Sequence, residues 1–346
     1  MLTTAEAVTT SPGIIDALTN NVNVVGGLWV ASSALLTTYS TTKFLKYSHS
    51  DSLLESSRKS PILRPTPLAN RSQLPRAALL TLYRFSGSLL LGLILHPDVQ
   101  IISRLKATLS AVPDFALPAA FLFIANYANS IALSRIGISL TYTSKCAIPI
   151  FTVLLTLLLD GAGALPGIRT LLSLVPIAAG IAAASWNSPV FELKGFICAM
   201  ISCTAQTGLN VMSKKSMART GLSGPEGQRA MVAVGLVITL GMFLFQNLSN
   251  SSAENSVSDE DNRPPPAWLS IMALTAYHME YILSFTFVKL VQPVTYGACD
   301  AVRRLSIIIS GHVMFGHDRF TKTNIMGIAT ALVGALCYAI SSQSIK

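Results

Sequence analysis

Three cations stand inside long apolar stretches of the sequence, where a charge is costly. They are Lys145 in one stretch and the adjacent pair Arg303 and Arg304 in another. At about 1.5 Å per helical residue, Lys145 lies roughly 14 Å into its stretch, and the arginines lie near the middle of theirs. Arginine binds phosphate oxygens through two parallel N–H groups, while lysine supplies a point charge. Because buried cations need an anion, these residues indicate a phosphate-binding site.

Protein carboxylates are the alternative partners for these cations. Asp300 precedes the two arginines by about one helical turn, and Glu280 lies in the apolar stretch before them. An internal ion pair would satisfy the arginines without any solute. The two arrangements are compatible if the protein has more than one conformation.

Other polar residues within the apolar stretches are weaker signals. Asn126 and Asn129 carry amides that bind a sugar or bridge neighbouring helices. Arg84, early in its stretch, is expected to reach towards lipid headgroups. Three tyrosines are expected either to line a solute path or to anchor helix ends at the membrane interface: Tyr142, Tyr281 and Tyr296.

Nothing in the sequence indicates an enzyme, a cofactor or a metal site. It has no G-x-S-x-G, no H-E-x-x-H and no glycine-rich phosphate loop before a lysine. The five cysteines all fall within apolar stretches, and none has metal-ligand spacing with a histidine. The formal charge of +9 does not form a basic stripe with interleaved aromatics, which argues against nucleic-acid binding.

The stretches that position these residues are typical of membrane helices. Hydrophobic residues make up 51% of the 346 residues, charged residues only 12%, and the mean hydropathy is +0.54. Soluble domains have about 25% charged residues. Since a backbone in lipid must satisfy its own hydrogen bonds, the sequence predicts an all-α integral membrane protein with ten transmembrane helices. They are expected at 22–43, 77–96, 115–134, 139–160, 167–186, 190–212, 228–247, 267–288, 292–315 and 323–343.

The predicted ten-helix transporter domain covers residues 22–343, between a polar tail at 1–21 and a short tail at 344–346. Long exposed loops are expected at 47–76 and 247–266. The first tail has no lysine or arginine, unlike a secretory signal or a transit peptide. We therefore expect a retained first span and a Golgi or endoplasmic reticulum membrane.

Two signals of membrane orientation disagree. Asn70, Asn247 and Asn250 each begin an N-x-S sequon, and in a ten-span arrangement all three fall on one side, which favours a lumenal face. The basic residues of the 47–76 loop fall on that same side, and the positive-inside tendency places them in the cytoplasm. An even number of spans puts both termini on one face in either case.

A weak internal repeat relates the two halves of the chain. The segment 140–161 resembles 294–316, since both have a Thr-Tyr start, then a cation and an apolar run; a glycine-rich segment follows each, at 173–185 and 324–336. The units begin five spans apart, so the halves have opposite orientations. Such 5+5 inverted repeats are typical of secondary transporters that alternate access to a midplane site. The glycines also fit a simpler role in close helix packing.

Several segments resemble the triose-phosphate and sugar-phosphate translocator family of the drug/metabolite transporter superfamily, which also holds nucleotide-sugar carriers. The segment ISLTYTSKCAIPIFTVLLTLLL is similar to the span-four signature of that family. The next two spans of that family are similar to LSLVPIAAGIAAAS with VFELKGFICAM. The Ser-Lys-Lys end of its span six is similar to SKKSM (213–217), and its span nine is similar to PVTYGACDAVRRLSIIISGHVMFG. The resemblance implies a ten-helix fold of 5+5 inverted repeats with alternating access.

For the site, the resemblance implies that Lys145, Arg303 and Arg304 bind phosphate, with arginine replacing the usual lysine at 303. The Ser-Lys-Lys segment adds Lys214 and Lys215 to the candidate solute-binding residues.

Four positions depart from the plastid pattern. Asn126 replaces a histidine, Leu209 an arginine, Glu280 a tyrosine (with Tyr281 adjacent), and Asp300 an asparagine. The site thereby loses one cation and gains two possible acids. These changes argue against a simple exchange of a three-carbon phosphate for inorganic phosphate. They leave room for another sugar phosphate, a nucleotide sugar, or proton coupling through either acid.

The resulting prediction is a secondary transporter, an antiporter of a phosphorylated sugar or nucleotide sugar, surrounded by membrane lipid. A proton-coupled carrier of another organic anion is one alternative. A non-transporting membrane protein that uses this fold in trafficking or scaffolding is the other. Counterflow in proteoliposomes separates a carrier from a scaffold.

Overall fold

The structure is a computed structural model that describes residues 21–47, 73–95, 101–161, 163, 166–186, 188, 191–222, 224–251, 265–291, 293–316 and 321–341. All regular secondary structure within these residues is helical. We number the helices α1 Val22–Leu45, α2 Gln73–Ile94, α3 Ile101–Ser144, α4 Ile148–Asp160, α5 Ile168–Ser185, α6 Leu193–Thr220, α7 Gly224–Ser251, α8 Ala267–Leu290, α9 Pro293–Phe315 and α10 Lys322–Ser341.

Local sequence explains where several helices begin and end. The side chain of Asn21 caps α1 by accepting hydrogen bonds from the backbone N–H groups of Asn23 and Val24, at 3.1 and 3.4 Å. Gly221 ends α6 in the left-handed conformation, with φ 71°. Helix α1 also contains a π-helical turn, Ser32–Thr37, a local widening that is frequent at functional sites.

Seven helical stretches are long and apolar enough to cross a membrane. They are Val22–Leu45, Arg76–Ile94, Leu105–Leu159, Ile168–Ser185, Leu193–Thr220, Gly224–Phe245 and Lys322–Ser341. Large apolar side chains are exposed on their outer faces; Leu158 and Val237, for example, are 81% and 71% exposed. The prediction of an all-α, multi-pass membrane protein is therefore confirmed at this level, while ten crossings and the 5+5 repeat stay predictions.

The predicted third and fourth spans run together in the structure. Helix α3 continues from Ile101 to Ser144 without a separating loop, but Gly137 interrupts it with φ 73° and ψ −179°. Only glycine adopts this backbone region readily, so the helix kinks there. A 3-10 turn, Lys145–Ala147, then leads into α4. The kink separates the two predicted spans and brings Lys145 to the end of the second arm of α3.

Two helix pairs make especially close contacts. Helices α3 and α6 are joined by a hydrogen bond of 2.8 Å from Ser202 Oγ to the carbonyl oxygen of Ala125. Helices α5 and α10 pack backbone to backbone, because a Cβ atom added at Gly180 would clash with Ala331, and one added at Gly327 would clash with Ala184. Small residues thus let α5 and α10 approach more closely than side chains would permit.

Candidate functional site

A cavity of about 340 Å³ lies where α1, α2, α3, α4, α6, α8, α9 and α10 converge. We call it the central cavity. Most of the residues that the sequence predicted for the site line it: Asn126, Asn129, Tyr142, Lys145, Glu280, Tyr281, Asp300, Arg303 and Arg304. The structure therefore brings together residues separated by up to about half of the chain.

Two predicted site residues do not line the central cavity, and the side chain of a third lies outside the described residues. Lys214 and Lys215 are exposed towards the end of α6. Their part in binding stays a prediction without support from this cavity. Tyr296 belongs to the backbone of α9, but its side chain lies outside the described residues. Of the sequons, Asn70 and the side chains of Asn247 and Asn250 lie outside them as well.

The backbone at Lys145 is shaped by a proline four residues later. Pro149 has no N–H group, so the carbonyl oxygen of Lys145 cannot receive the usual α-helical hydrogen bond. The chain tightens into the 3-10 turn, in which the N–H of Ile148 donates to that oxygen. Arg304 Nη1 donates a second hydrogen bond to the same oxygen, at 2.5 Å. The proline thus frees an acceptor that ties α9 to the turn carrying Lys145.

Both arginines are engaged with carboxylates in this structure. Arg303 Nη1 donates to Glu280 Oε1 at 2.7 Å, and its Nε and Nη2 donate to Asp300 Oδ1 at 3.0 and 2.7 Å. Arg304 Nη2 donates to the other oxygen of Asp300. The guanidinium carbon of Arg303 also lies 5.0 Å from the ring centroid of Trp29. The internal ion-pair arrangement is therefore the one seen here for the arginines.

Lys145 has no such partner. Its ammonium nitrogen lies 5.8 Å from the ring centroid of Tyr142, and no carboxylate pairs with it among the described residues. A cation in a membrane interior without a countercharge is unfavourable. In this conformation, no carboxylate among the described residues neutralises the charge of Lys145.

Arg84 also faces the central cavity, and the expectation that it reaches a headgroup is wrong. It is only 4% exposed, it donates a hydrogen bond to Thr41 Oγ1, and its guanidinium carbon lies 5.3 Å from the ring centroid of Tyr277. The spacing Ala77, Thr81, Arg84 and Ser88 follows one face of α2, and all four are buried. That periodicity was the signal in the sequence that placed Arg84 inside.

The cavity also contains polar groups that sequence reasoning did not single out. Gln206 and Asn210 on α6 line it and are joined by a hydrogen bond of 3.1 Å from Nε2 to Oδ1. On α3, Asn126 Nδ2 donates to the carbonyl oxygen of Leu122 at 2.9 Å. Asn129 Oδ1 is buried and lacks a hydrogen-bond partner among the described residues. These amides form a neutral, hydrogen-bonding part of the cavity wall.

The charges around the central cavity do not cancel. Among the described residues, its lining has four cationic side chains, Lys145, Arg84, Arg303 and Arg304, against two carboxylates, Glu280 and Asp300. The excess of two positive charges is carried by Lys145 and Arg84, since the carboxylates pair with the other two. The arrangement fits an anion chemically.

Comparisons with known proteins agree with this chemistry. The chain is 28% identical over 228 residues to the Phosphoenolpyruvate/phosphate translocator 2, chloroplastic, of Arabidopsis thaliana, covering 62% of this chain and 57% of the relative. It is 27% identical over 223 residues to the Glucose-6-phosphate/phosphate translocator 2, chloroplastic, of the same plant (64% and 56%). It is 25% identical over 229 residues to the Triose phosphate/phosphate translocator, non-green plastid, chloroplastic, of Brassica oleracea var. botrytis (62% and 54%).

These matches span little more than half the length of each relative. The profile of the Triose-phosphate Transporter family matches a longer part, residues 72–339, which contains every residue that lines the central cavity except Trp29 and Thr37. This confirms the family resemblance seen in the sequence. The chain belongs to the Triose-phosphate Transporter family.

Proposed function

We propose that this protein is a secondary carrier that exchanges a phosphorylated small solute across a membrane. The observation that carries the proposal is Lys145, a cation without a carboxylate partner among the described residues, on a central cavity with excess positive charge. A phosphate group would supply the countercharge that Lys145 lacks. The matched relatives are named as translocators, which supports a carrier and not an enzyme.

The proposed mechanism is alternating access by two inverted halves. It is supported by the pairing of helices, because several of the closest pairings recur when α1–α5 are exchanged with α6–α10. Helix α3 packs on α6 as α8 packs on α1, and α3 packs on α7 as α8 packs on α2. Helices α5 and α10 pack on each other, as do α2 and α7. This is the pattern that ten crossings in a 5+5 inverted repeat would produce.

Within the cavity, we assign the first contact with phosphate to Lys145. Arg303 and Arg304 then turn towards the phosphate from Glu280 and Asp300, with which they pair in this structure. The internal ion pairs and the phosphate site thus belong to different steps of one cycle. Forming the ion pairs when the solute leaves lowers the cost of an empty cationic cavity.

The proposed solute is a phosphorylated sugar or a similarly small phosphate ester. The names of the relatives pair phosphoenolpyruvate, glucose 6-phosphate or triose phosphate with phosphate. The amides of Asn129, Gln206 and Asn210 would hydrogen-bond the hydroxyl groups of such a solute. These relatives give no support to a nucleotide-linked solute.

The experiment is counterflow in proteoliposomes that contain the full chain and are loaded with labelled phosphate. Phosphate, triose phosphate, glucose 6-phosphate, phosphoenolpyruvate and a nucleotide sugar are added outside in turn. We expect efflux of label with phosphate and at least one ester. If folded protein shows no counterflow with any of them, the carrier function is wrong and the scaffolding alternative takes its place.

Proton coupling through Glu280 or Asp300 is tested in the same vesicles. Uptake driven by a pH gradient, with no exchangeable anion inside, would replace the exchange mechanism with a proton-coupled one. Exchange alone predicts no such uptake.

The Golgi or endoplasmic reticulum location also belongs to this proposal. The relatives are named chloroplastic and give this location no support. Imaging of a fluorescent fusion of the full-length protein decides between these membranes. Co-localisation with a plastid-envelope marker would overturn the predicted location without affecting the proposed chemistry.

A further inference from the structure

Arg84 is a buried cation that is not among the residues assigned to the phosphate. It lines the central cavity from α2, and its guanidinium has no carboxylate partner among the described residues. Its Nε is buried and has no hydrogen-bond partner there either. The hydrogen bond to Thr41 and the ring of Tyr277 are its other contacts. Neither contact supplies the negative charge that would compensate a guanidinium removed from water.

The two unneutralised cations of the cavity come from different parts of the chain. Lys145 stands on the turn before α4, and Arg84 stands on α2. Each lies beside an aromatic ring, that of Tyr142 for Lys145 and that of Tyr277 for Arg84. The phosphate of the solute is assigned to Lys145 and, in the bound state, to Arg303 and Arg304, which lie on other elements than Arg84. Arg84 retains a planar array of donors suited to a carboxylate or a second phosphate.

We propose that Arg84 binds a second anionic group of the solute. The inference rests on the proposed function and narrows its substrate class to phosphate esters that carry another negative group. A phosphorylated carboxylic acid and a bisphosphate both satisfy this requirement. Arg84 is thus a specificity residue, and Lys145 with the arginine pair remains the position of the phosphate common to all solutes.

The test compares two three-carbon esters that differ in one charged group. Glycerol 3-phosphate has the phosphate alone, while 3-phosphoglycerate also has a carboxylate. Each competes with labelled phosphate for binding to the purified full chain and to Arg84→Gln. We expect the wild type to bind 3-phosphoglycerate at least about tenfold more tightly than glycerol 3-phosphate, the size of one charge-assisted hydrogen-bonded contact. Arg84→Gln should abolish this preference, which is the ratio of the two affinities measured in the same variant.

Arg135→Gln is the matched control, because Arg135 is an arginine on α3 that pairs with Glu192 and does not line the central cavity. It should keep the preference. Equal affinities of the wild type for the two esters would overturn the inference. This comparison needs only the wild type, so it tests the inference even if Arg84→Gln fails to fold. A preference that survives in folded Arg84→Gln would also overturn it. If the wild type binds neither ester nor phosphate, the proposed function itself fails.

Discussion

Arg304, on α9, donates a hydrogen bond of 2.5 Å to the backbone carbonyl oxygen of Lys145, on the turn before α4. The two residues lie in the two segments of the chain that resemble each other. The contact therefore joins these two segments and fixes the turn from which the Lys145 side chain projects. A change in the head group of Arg304 alters the site in two ways, through its charge and through this contact.

Arg304→Lys separates these two effects. Lysine keeps the charge but lacks the fork that contacts Asp300 and the carbonyl of Lys145 together. We expect the KM for phosphate exchange to rise about tenfold, the cost of one charge-assisted hydrogen bond. Arg219→Lys makes the same replacement in an exposed ion pair with Asp114 and should leave the KM unchanged. A normal KM in Arg304→Lys would show that charge alone suffices.

Lys145→Ala should abolish phosphate exchange while the protein stays folded. It removes the cation that lacks an internal countercharge, so folding loses no ion pair among the described residues. Counterflow and the Tm of the purified protein are the measurements. Lys194→Ala, an exposed residue near the start of α6, is the matched control and should transport normally. Exchange at the wild-type rate in Lys145→Ala would refute the phosphate site.

Arg303→Gln should lower the Tm, because it leaves Glu280 and Asp300 facing each other with one cation fewer. Breaking a buried pair by removing one partner costs about 3 kcal/mol. Adding Glu280→Gln removes the uncompensated charge, so the double variant should regain part of the lost Tm. If the double variant has no higher Tm than Arg303→Gln, the ion pair between Arg303 and Glu280 does not stabilise the folded protein.

Gly137→Ala tests whether the kink in α3 positions the site. A side chain at φ 73° and ψ −179° is strained by about 1–3 kcal/mol. We expect a lower Tm and weaker phosphate binding, since straightening α3 displaces the turn that carries Lys145. Gly27→Ala is the control, because a Cβ atom there meets open space. If Gly137→Ala matches Gly27→Ala in Tm and phosphate affinity, the kink has no such role.

The helices were predictable from the sequence because lipid imposes a simple rule on apolar stretches. The predicted segments fall on the observed helices, although α3 begins at Ile101, well before the predicted start at 115. Its first turns are less apolar than a membrane segment and include Arg104 and Lys106, so a hydropathy criterion omits them. A hydropathy criterion also does not show that α3 continues across Gly137.

The residues that line the central cavity were partly predictable from the sequence, but the ion pairs among them were not. Lys145, Arg303 and Arg304 were identified as charges inside apolar stretches, because charged residues are rare in membrane segments and mostly functional there. Which carboxylate pairs with which arginine depends on how α8 faces α9, a tertiary fact that local spacing does not contain. Arg84 was misplaced because depth along a helix was considered without the face on which the residue lies.

The close contact between α5 and α10 at Gly180 and Gly327 restricts which sequences can adopt this fold. Each glycine leaves the space that the backbone of the opposite helix occupies, and the two belong to different halves of the chain. A larger residue at one position therefore cannot be accommodated by changes within its own half. Chimeras that combine one half of this protein with the complementary half of a relative should assemble only when the donor also supplies a small residue at the facing position.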